Sequence, residues 1–261
     1  MICKICGHKA SGIFNAKIMG KRIIKYYQCP NCYFMQTEEP TWLNEAYSSA
    51  IASADLTILE RGYKNTIILN QILKALGHNN STILDYGGGY GILCRLMRNL
   101  GFNFLWYDKY ATNIFAKGFE YKKEKIDLIT CFEVFEHFSE PIEEIENLLK
   151  ICDELIITTD IYDDENKVPP PSWSYYTFSS GQHISFYSKK TFEYLAEKYN
   201  LNYIKINKCW HIFTKDKSAN KKLEFLKDIS KDFDRFNREF ILNSNKTPVL
   251  KDIEYLSKLK K

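Results

Sequence analysis

The 261-residue sequence lacks a long hydrophobic run. No segment approaches the roughly 18 uninterrupted apolar residues that a transmembrane helix needs. Residues 1–6, MICKIC, also lack the apolar stretch of a secretory signal peptide. These absences argue against a protein that spans a membrane, and we expect a soluble, cytoplasmic protein.

The sequence has no strong compositional bias either. Hydrophobic residues make up 45% and charged residues 26% of the chain, which excludes a disordered, collagen-like or fibrous protein. The length is enough for one large α/β domain with a small appendage, and it is too short for two full-sized enzymes.

The charge is unevenly distributed along the chain. The formal net charge is +5 for residues 1–38, −6 for residues 39–214 and +5 for residues 215–261. Proteins that bind a phosphate backbone usually carry their excess positive charge over the working surface. The acidic middle of the chain therefore argues against a nucleic-acid partner.

Four of the eight cysteines form two Cys-x-x-Cys pairs near the start of the chain: Cys3, Cys6, Cys29 and Cys32. Each pair can place two thiolates on one side of a tight turn, and two such pairs supply the four ligands of a tetrahedral zinc ion. Four protein ligands leave no open position, so we predict one structural zinc.

The segment between the cysteine pairs predicts a β-hairpin, with strands near residues 13–19 and 22–28. We therefore expect a small N-terminal zinc ribbon over residues 1–38. Two disulfides are an alternative that a reducing cytosol disfavours. A thioredoxin-type redox pair would need a strand-to-helix context, and His8 could replace one of the cysteines as a ligand.

Apolar strands alternate with helical patterns over residues 39–214, the predicted catalytic domain. This alternation predicts an α/β fold, namely a Rossmann-like, doubly wound, mostly parallel sheet of seven strands with an antiparallel hairpin at one edge. The strand patterns that the sequence shows most clearly lie near residues 82–86, 104–107, 127–131, 155–159, 203–209 and 211–214.

A glycine-rich turn follows the first of these strands, with glycines at positions 87, 89 and 91. A dinucleotide-binding turn would need its third glycine one position later, where Ile92 stands. Asp85 precedes the turn, and Asp108 closes the following strand. An acid at that place can accept hydrogen bonds from the hydroxyls of a ribose bound over the turn.

Three motifs resemble those of the class I S-adenosylmethionine-dependent methyltransferases: LDYGGGYG at residues 84–91, YD at 107–108 and FEVFEH at 132–137. The resemblance covers about residues 40–214. More narrowly, PTWLNEAY at 40–47 and GQHISFY at 181–187, with the cysteine pairs, are similar to a bacterial subgroup associated with the biosynthesis of surface polysaccharides and other glycans.

The resemblance implies which residues bind S-adenosylmethionine: Asp85, Gly87, Gly89 and Asp108, with Phe132 and Glu133 lining the pocket. Only 18 residues separate Asp108 from Asp127, too few for a full helix and strand. The acidic contact to adenine that the family places on its third strand is therefore not assigned here.

Methylation of a hydroxyl is helped by a base of near-neutral pKa, and histidine is the obvious candidate. His137 follows the strand that, in the family, ends beside the methyl group. His183 lies among aromatic residues in a long segment suited to stacking on a sugar. The alternatives are that His137 caps a helix or bonds backbone, and that the aromatic segment packs on itself.

The C-terminal extension, residues 215–261, carries a helical stripe of apolar residues: Leu223, Leu226, Ile229, Phe233, Phe236 and Phe240. This stripe packs either on the domain or against a second chain as a homodimer.

The favoured function is O-methylation of a sugar, nucleotide sugar or other glycan-linked small acceptor in capsule-type polysaccharide biosynthesis. An RNA methyltransferase with a zinc-knuckle recognition lobe and a catalytically inactive, cofactor-binding partner subunit are the alternatives.

Overall fold

The computed structural model describes residues 1–48, 56–162, 167–226 and 233–238, together with Lys251, Asp252, Tyr255 and Lys258. Ten strands and six α-helices have their bounds within them, and residues 233–238 are helical as well. The strands are β1 (Ser11–Ile18), β2 (Arg22–Gln28), β3 (Met35–Thr37), β4 (Thr82–Tyr86), β5 (Asn103–Tyr107), β6 (Leu128–Phe132), β7 (Leu155–Thr158), β8 (Ser185–Phe186), β9 (Asn202–Lys205) and β10 (Trp210–Thr214). The helices are α1 (Leu43–Ala46), α2 (Ile58–Leu76), α3 (Ile92–Asn99), α4 (Pro141–Ile151), α5 (Lys189–Tyr199) and α6 (Ala219–Lys222).

The central sheet has the strand order β5-β4-β6-β7-β10-β9. Strand β4 pairs in parallel with both β5 and β6, whereas β10 pairs antiparallel with both β7 and β9. The α/β fold and the antiparallel edge hairpin are therefore confirmed, and the sheet is mixed.

The described chain has six strands in this sheet, not the seven that the sequence led us to expect. Beyond β5, a parallel bridge between Trp106 and Glu120 stands where a further strand would lie. The Trp106 amide donates to Phe119 O at 2.8 Å, and the Tyr121 amide donates to Trp106 O at 2.8 Å. These two bonds make an isolated bridge, and the described residues do not extend it into a regular strand.

The contacts divide the chain into two compact units, and their boundaries differ from the predicted domain boundaries. One unit comprises Met1–Ala52 and Cys131–Asp216, and the other comprises Ser53–Thr130 and Lys217–Lys261. The N-terminal residues thus belong to the same unit as the segment that follows the middle of β6.

The first unit contains a four-stranded sheet of order β1-β2-β3-β8. The predicted hairpin is present, because β1 and β2 pair antiparallel from Ser11↔Gln28 to Ile18↔Arg22. Strand β3 then pairs with β8 through Met35↔Phe186 and Gln36↔Ser185. The hairpin is therefore joined to a strand about 150 residues further along the chain, which local sequence patterns do not reveal.

The aromatic segment before β8 packs on this sheet and on itself. Tyr176 is 1% exposed, and its ring lies 5.1 Å from that of Phe186 and 5.0 Å from that of Trp173. These buried rings form a core. They pack on one another, as the alternative prediction states, and are not exposed to stack on a sugar.

In the second unit, α2 is buried nearly all the way round over residues 66–70, and Ile67, Leu69 and Ile72 are each 0% exposed. Three residues of the predicted C-terminal stripe, Leu223, Leu226 and Phe236, are also buried, at 3% exposure or less. Ile229 and Phe240 lie outside the described residues. The homodimer stays a prediction.

None of the described helices combines the length and the apolar character that crossing a bilayer would require.

Candidate functional site

The glycine turn of the second unit connects β4 to α3. The amides of Gly87 and Gly88 both donate to Tyr107 O, at 2.8 and 3.0 Å, which ties the turn to the end of β5. Gly91, with φ +87°, precedes α3, and a Cβ there would lie 2.9 Å from the backbone nitrogen of Ala116. Only glycine fits this position without moving the neighbouring backbone.

Asp85 lies at the base of this turn with its carboxyl 2% exposed. One oxygen, Oδ1, accepts from Thr130 Oγ1 at 3.1 Å, while Oδ2 is buried without a hydrogen-bond partner among the described residues. Burial raises the pKa of Asp85 to about 7, because an apolar environment disfavours the charged form.

Gly88 lies directly against this carboxyl. A Cβ on Gly88 would come within 2.8 Å of both Asp85 Oδ2 and Trp106 Cδ1. The indole of Trp106 in turn donates to Gly89 O at 2.9 Å. The turn therefore needs glycine at position 88 to leave room beside the unsatisfied oxygen.

Asp108 joins the end of β5 to the same turn, as the sequence predicts. Its Oδ2 accepts from the Gly89 amide at 2.9 Å, and its Oδ1 accepts from the amides of Tyr110 at 2.7 Å and Ala111 at 2.6 Å. A carboxylate has about four lone-pair sites, so about one remains for a ligand. The structure thus brings Asp85, Gly87, Gly89 and Asp108 together.

Phe132 and Glu133 belong to the first unit. The Phe132 ring packs edge-on against Trp210 at 5.0 Å. Glu133 has φ +56°, and its Oε1 accepts from Thr158 Oγ1 at 2.9 Å. Their assignment to the donor pocket stays a prediction.

The two candidate bases lie side by side in the first unit, with ring centroids 4.9 Å apart. His137 contacts Gln182 O through Nδ1 at 3.1 Å, and His183 contacts Tyr175 O through Nδ1 at 2.7 Å. Since a carbonyl only accepts, each Nδ1 is the donor. His137 therefore does bond backbone, as the alternative prediction states, and in its neutral ring Nε2 is the acceptor nitrogen.

Glu136, which the sequence interpretation did not single out, completes this group. Its carboxyl is fully buried, and Oε1 lies 3.9 Å from His183 Nε2. Burial and the neighbouring Glu136 carboxyl raise the pKa of Tyr175 well above its usual value. Glu136 is part of the motif FEVFEH. Its position next to the candidate base His137 is the sequence feature that could have identified it as a site residue.

The four N-terminal cysteines lie together in the first unit, with all sulfur atoms within 4.8 Å of one another. Cys3 Sγ is 3.6 Å from Cys32 Sγ, and Cys6 Sγ is 3.4 Å from Cys29 Sγ. The hydrogen bond between the two sulfurs stabilises a thiolate at Cys3 and lowers the pKa of Cys3, whereas the same bond keeps the proton on Cys32 and raises the pKa of Cys32. These thiols could bind zinc, whereas the His8 ring contacts Cys6 O in its own turn, at 3.3 Å.

A family profile described as a methyltransferase domain matches residues 60–206, more than half of the chain. The chain belongs to this methyltransferase family. The match confirms the predicted class of enzyme, an S-adenosylmethionine-dependent methyltransferase. The finer assignment to a polysaccharide subgroup is not decided by this match. No curated protein matches the chain significantly.

Several solved structures are similar to this methyltransferase at low sequence identity. Magnesium protoporphyrin IX methyltransferase from Synechocystis PCC 6803 with bound SAM is 12% identical, with 67% of this chain and 90% of that chain covered and a TM-score of 0.39. Human N-acetylserotonin methyltransferase in complex with SAM is 12% identical, with 67% and 65% covered and a TM-score of 0.40. An O-methyltransferase family 2 protein from Planctomyces limnophilus DSM 3776 in complex with apigenin is 12% identical, with 65% and 64% covered and a TM-score of 0.39. Likenesses at this level carry no argument about the acceptor.

The raised pKa of Asp85 predicts how the stability of the methyltransferase without ligand depends on pH. The carboxyl is protonated more readily in the folded chain than in the unfolded chain, so the free energy of unfolding falls as the pH rises from about 4 to about 7. At about 1.4 kcal/mol per pKa unit, this group accounts for a loss of about 2–3 kcal/mol between pH 5 and pH 7.5. Urea denaturation at both pH values measures it.

Asp85→Asn should remove this part of the pH dependence, because the amide does not ionise. Asp234→Asn, which changes an exposed carboxylate, is the matched control and should leave the pH dependence as in the wild type. An Asp85→Asn variant with the wild-type pH dependence would show that Asp85 is not the titrating group.

Proposed function

We propose that this methyltransferase transfers a methyl group from S-adenosylmethionine to a hydroxyl of a sugar, nucleotide sugar or other glycan-linked acceptor in surface-polysaccharide biosynthesis. The main support for donor binding is Asp85 Oδ2, which is buried beside Gly88 and has no hydrogen-bond partner among the described residues. A buried acceptor without a partner costs free energy that a bound ligand recovers. The donor carries an ammonium and a sulfonium group, and either charge suits this oxygen.

The ribose of the donor is assigned to Asp108. Its carboxylate is oriented by three backbone amides, including that of Gly89 in the turn. The remaining lone pair suits one ribose hydroxyl. A second hydroxyl would bind in place of the Tyr110 or Ala111 amide, which requires a small movement of that loop.

The adenine is assigned to the apolar surface that follows β5. Tyr110, Ile114 and Phe115 are 56%, 49% and 51% exposed. The amides of Ile114 and Phe115 both donate to Tyr90 O, at 3.1 and 3.0 Å, which fixes this segment against the glycine turn. A flat heteroaromatic ring buries such side chains from water. In this proposal the apolar surface takes the place of the acidic contact to adenine that the family has on its third strand. That contact is not assigned to a residue between Asp108 and Asp127.

S-Adenosylmethionine supplies a methyl group whose bond to sulfur breaks, with the electron pair left on sulfur, as a bond forms to the acceptor oxygen. His137 and His183 are the residues that handle the hydroxyl proton. Each ring holds its own proton at Nδ1 against a backbone carbonyl, so in the neutral ring Nε2 is the proton acceptor. A positioned base typically contributes about 10²–10⁴-fold to such a step.

The glycan acceptor is supported by sequence resemblance, namely the segments at residues 40–47 and 181–187. An RNA acceptor is disfavoured by the acidic residues 39–214. Specific RNA binding would need a basic surface there.

The cysteine cluster is proposed to hold one structural zinc ion. Four thiolates complete a tetrahedral shell, and the cluster lies at the end of the hairpin that pairs with β3. The metal would thereby stabilise the N-terminal part of the first unit without taking part in methyl transfer.

Asp108→Ala should weaken S-adenosylmethionine binding by about 10- to 100-fold, since a hydrogen bond to a charged group contributes about 1.5–3 kcal/mol. Isothermal titration calorimetry measures the affinity. Asp153→Ala, which removes an exposed carboxylate elsewhere, is the control and should bind as the wild type does. Equal affinities of the wild type and Asp108→Ala would overturn the ribose assignment.

Zinc analysis of reductively purified protein should give at least one ion per chain. Cys29→Ser should lower that content and lower the free energy of unfolding, because a metal that binds only the folded state stabilises it. Cys209→Ser, which changes a cysteine outside the cluster, should retain the zinc. A wild-type protein without zinc would contradict the assignment.

Incubation with S-adenosylmethionine labelled in its methyl group tests the acceptor. Label should appear on a hydroxyl of a nucleotide sugar or glycan fragment, and mass spectrometry of the product locates the atom. Structured RNA fragments serve as the competing acceptor. Label on RNA alone would contradict the proposed acceptor while leaving donor binding intact.

A further inference from the structure

The first unit contains a second group of side chains that could ligate a metal. Glu136, His137 and His183 each offer one ligand atom, and these three atoms lie within 4.8 Å of one another. Glu136 and His137 come from the short turn after β6, and His183 comes from the segment just before β8. The sequence interpretation treated the histidines as bases and left Glu136 out.

Glu136 is the most informative member of this group. Its side chain is 0% exposed, and its Oε2 accepts from Thr159 Oγ1 at 3.0 Å. Its Oε1 is buried, finds no hydrogen-bond partner in the part of the chain that the structure describes, and faces His183 Nε2 at 3.9 Å. Burying a carboxylate is costly unless a cation compensates it, so this oxygen marks a place for positive charge.

The two histidines are oriented as metal-binding histidines usually are. Metal-ligating imidazoles almost always donate their other ring N–H to a carbonyl or carboxylate, which fixes the tautomer. Here Nδ1 of His137 donates to Gln182 O, and Nδ1 of His183 donates to Tyr175 O. In the neutral rings Nε2 is then the acceptor nitrogen, and in His183 this atom lies 3.9 Å from Glu136 Oε1.

Tyr175 supports two members of the group at once. Its carbonyl holds His183, and its hydroxyl lies 2.8 Å from Thr159 Oγ1, the same atom that donates to Glu136 Oε2. One residue behind the cluster therefore orients both an imidazole and the carboxylate. Such a supporting layer typically changes metal affinity by about 10- to 100-fold.

We propose that Glu136, His137 and His183 bind a divalent cation of the first transition series, such as Mn²⁺, Fe²⁺, Co²⁺ or Zn²⁺. Two imidazoles and one carboxylate suit these ions better than Ca²⁺ or Mg²⁺, which prefer oxygen. Metal bonds of about 2.0–2.2 Å require the three ligand atoms to move closer together on binding. Three protein ligands leave coordination positions open, unlike four cysteines.

The role of this cation rests on the proposed methyl transfer, although its binding does not. An open coordination position accepts the oxygen of the acceptor hydroxyl, and a bound cation lowers the pKa of such an oxygen. The hydroxyl proton would then leave to water before the oxygen forms its bond to the methyl carbon. With the cation bound, His137 and His183 would serve as ligands in place of the proton-accepting role proposed above, and Glu136 would give the site its negative charge.

Titration of the full-length protein with Mn²⁺, followed by electron paramagnetic resonance, tests the site directly. Thiolate clusters select softer ions than Mn²⁺, so the cysteines do not interfere. The expected result is about one Mn²⁺ bound per chain, with affinity at least tenfold lower in Glu136→Gln and in His183→Gln. His78→Gln changes a histidine outside the cluster and should bind as the wild type does.

Thermal melting of each variant shows whether it is folded. His137→Gln provides a third ligand substitution in case one of the other two does not fold. A variant that melts as the wild type does, but has lost Mn²⁺ binding, supports the site. The proposal is overturned if folded wild-type protein binds no Mn²⁺, Co²⁺ or Zn²⁺ other than the ion held by the four cysteines. It is also overturned if all folded variants bind the metal as tightly as the wild type does. Calorimetry with S-adenosylmethionine on the same samples distinguishes loss of the metal site from failure of the donor assignment.

Discussion

Three hydrogen bonds between two distant segments organise the first unit. Ile184 N donates to Glu136 O at 2.9 Å, His137 Nδ1 to Gln182 O at 3.1 Å, and Ser185 Oγ to Phe138 O at 2.7 Å. They set His183 beside Glu136 and also position β8 for pairing with β3. The cysteine hairpin and the histidine pair therefore depend on one set of contacts. A change in the segment before β8 would disturb both, although the two groups serve different chemistry.

The two candidate sites share a physical feature, a buried carboxyl oxygen that the protein leaves unsatisfied. Asp85 Oδ2 in the second unit and Glu136 Oε1 in the first are both in this state. Native proteins satisfy most buried polar atoms, so such an exception calls for an explanation. In our proposals the missing partner at Asp85 is a positive charge of the donor, and at Glu136 it is a cation held also by two imidazoles.

The sequence predicted much of the fold because strands, glycine turns and an edge hairpin leave local patterns. It also identified the cysteines, Asp85, Asp108 and both histidines, since these residue types stand in recognisable motifs. It did not identify Glu136 as a partner of His183, because 47 residues separate them and only the pairing of distant segments brings them together. The short segment between Asp108 and Asp127 was a sign in the sequence that a seventh strand would not form among the described residues. The bridge between Trp106 and Glu120 that stands in its place depends on tertiary hydrogen bonds.

The sequence by itself determined the chemical inventory: four soft thiols, an acid before a glycine turn, an acid closing the next strand and two histidines. The tertiary structure decided which of these side chains meet and what each one lacks. Burial leaves an oxygen of Asp85 and one of Glu136 without partners, and backbone carbonyls fix the proton of each imidazole. These properties arise from desolvation and from hydrogen bonds across long chain separations, and local sequence does not encode either of them.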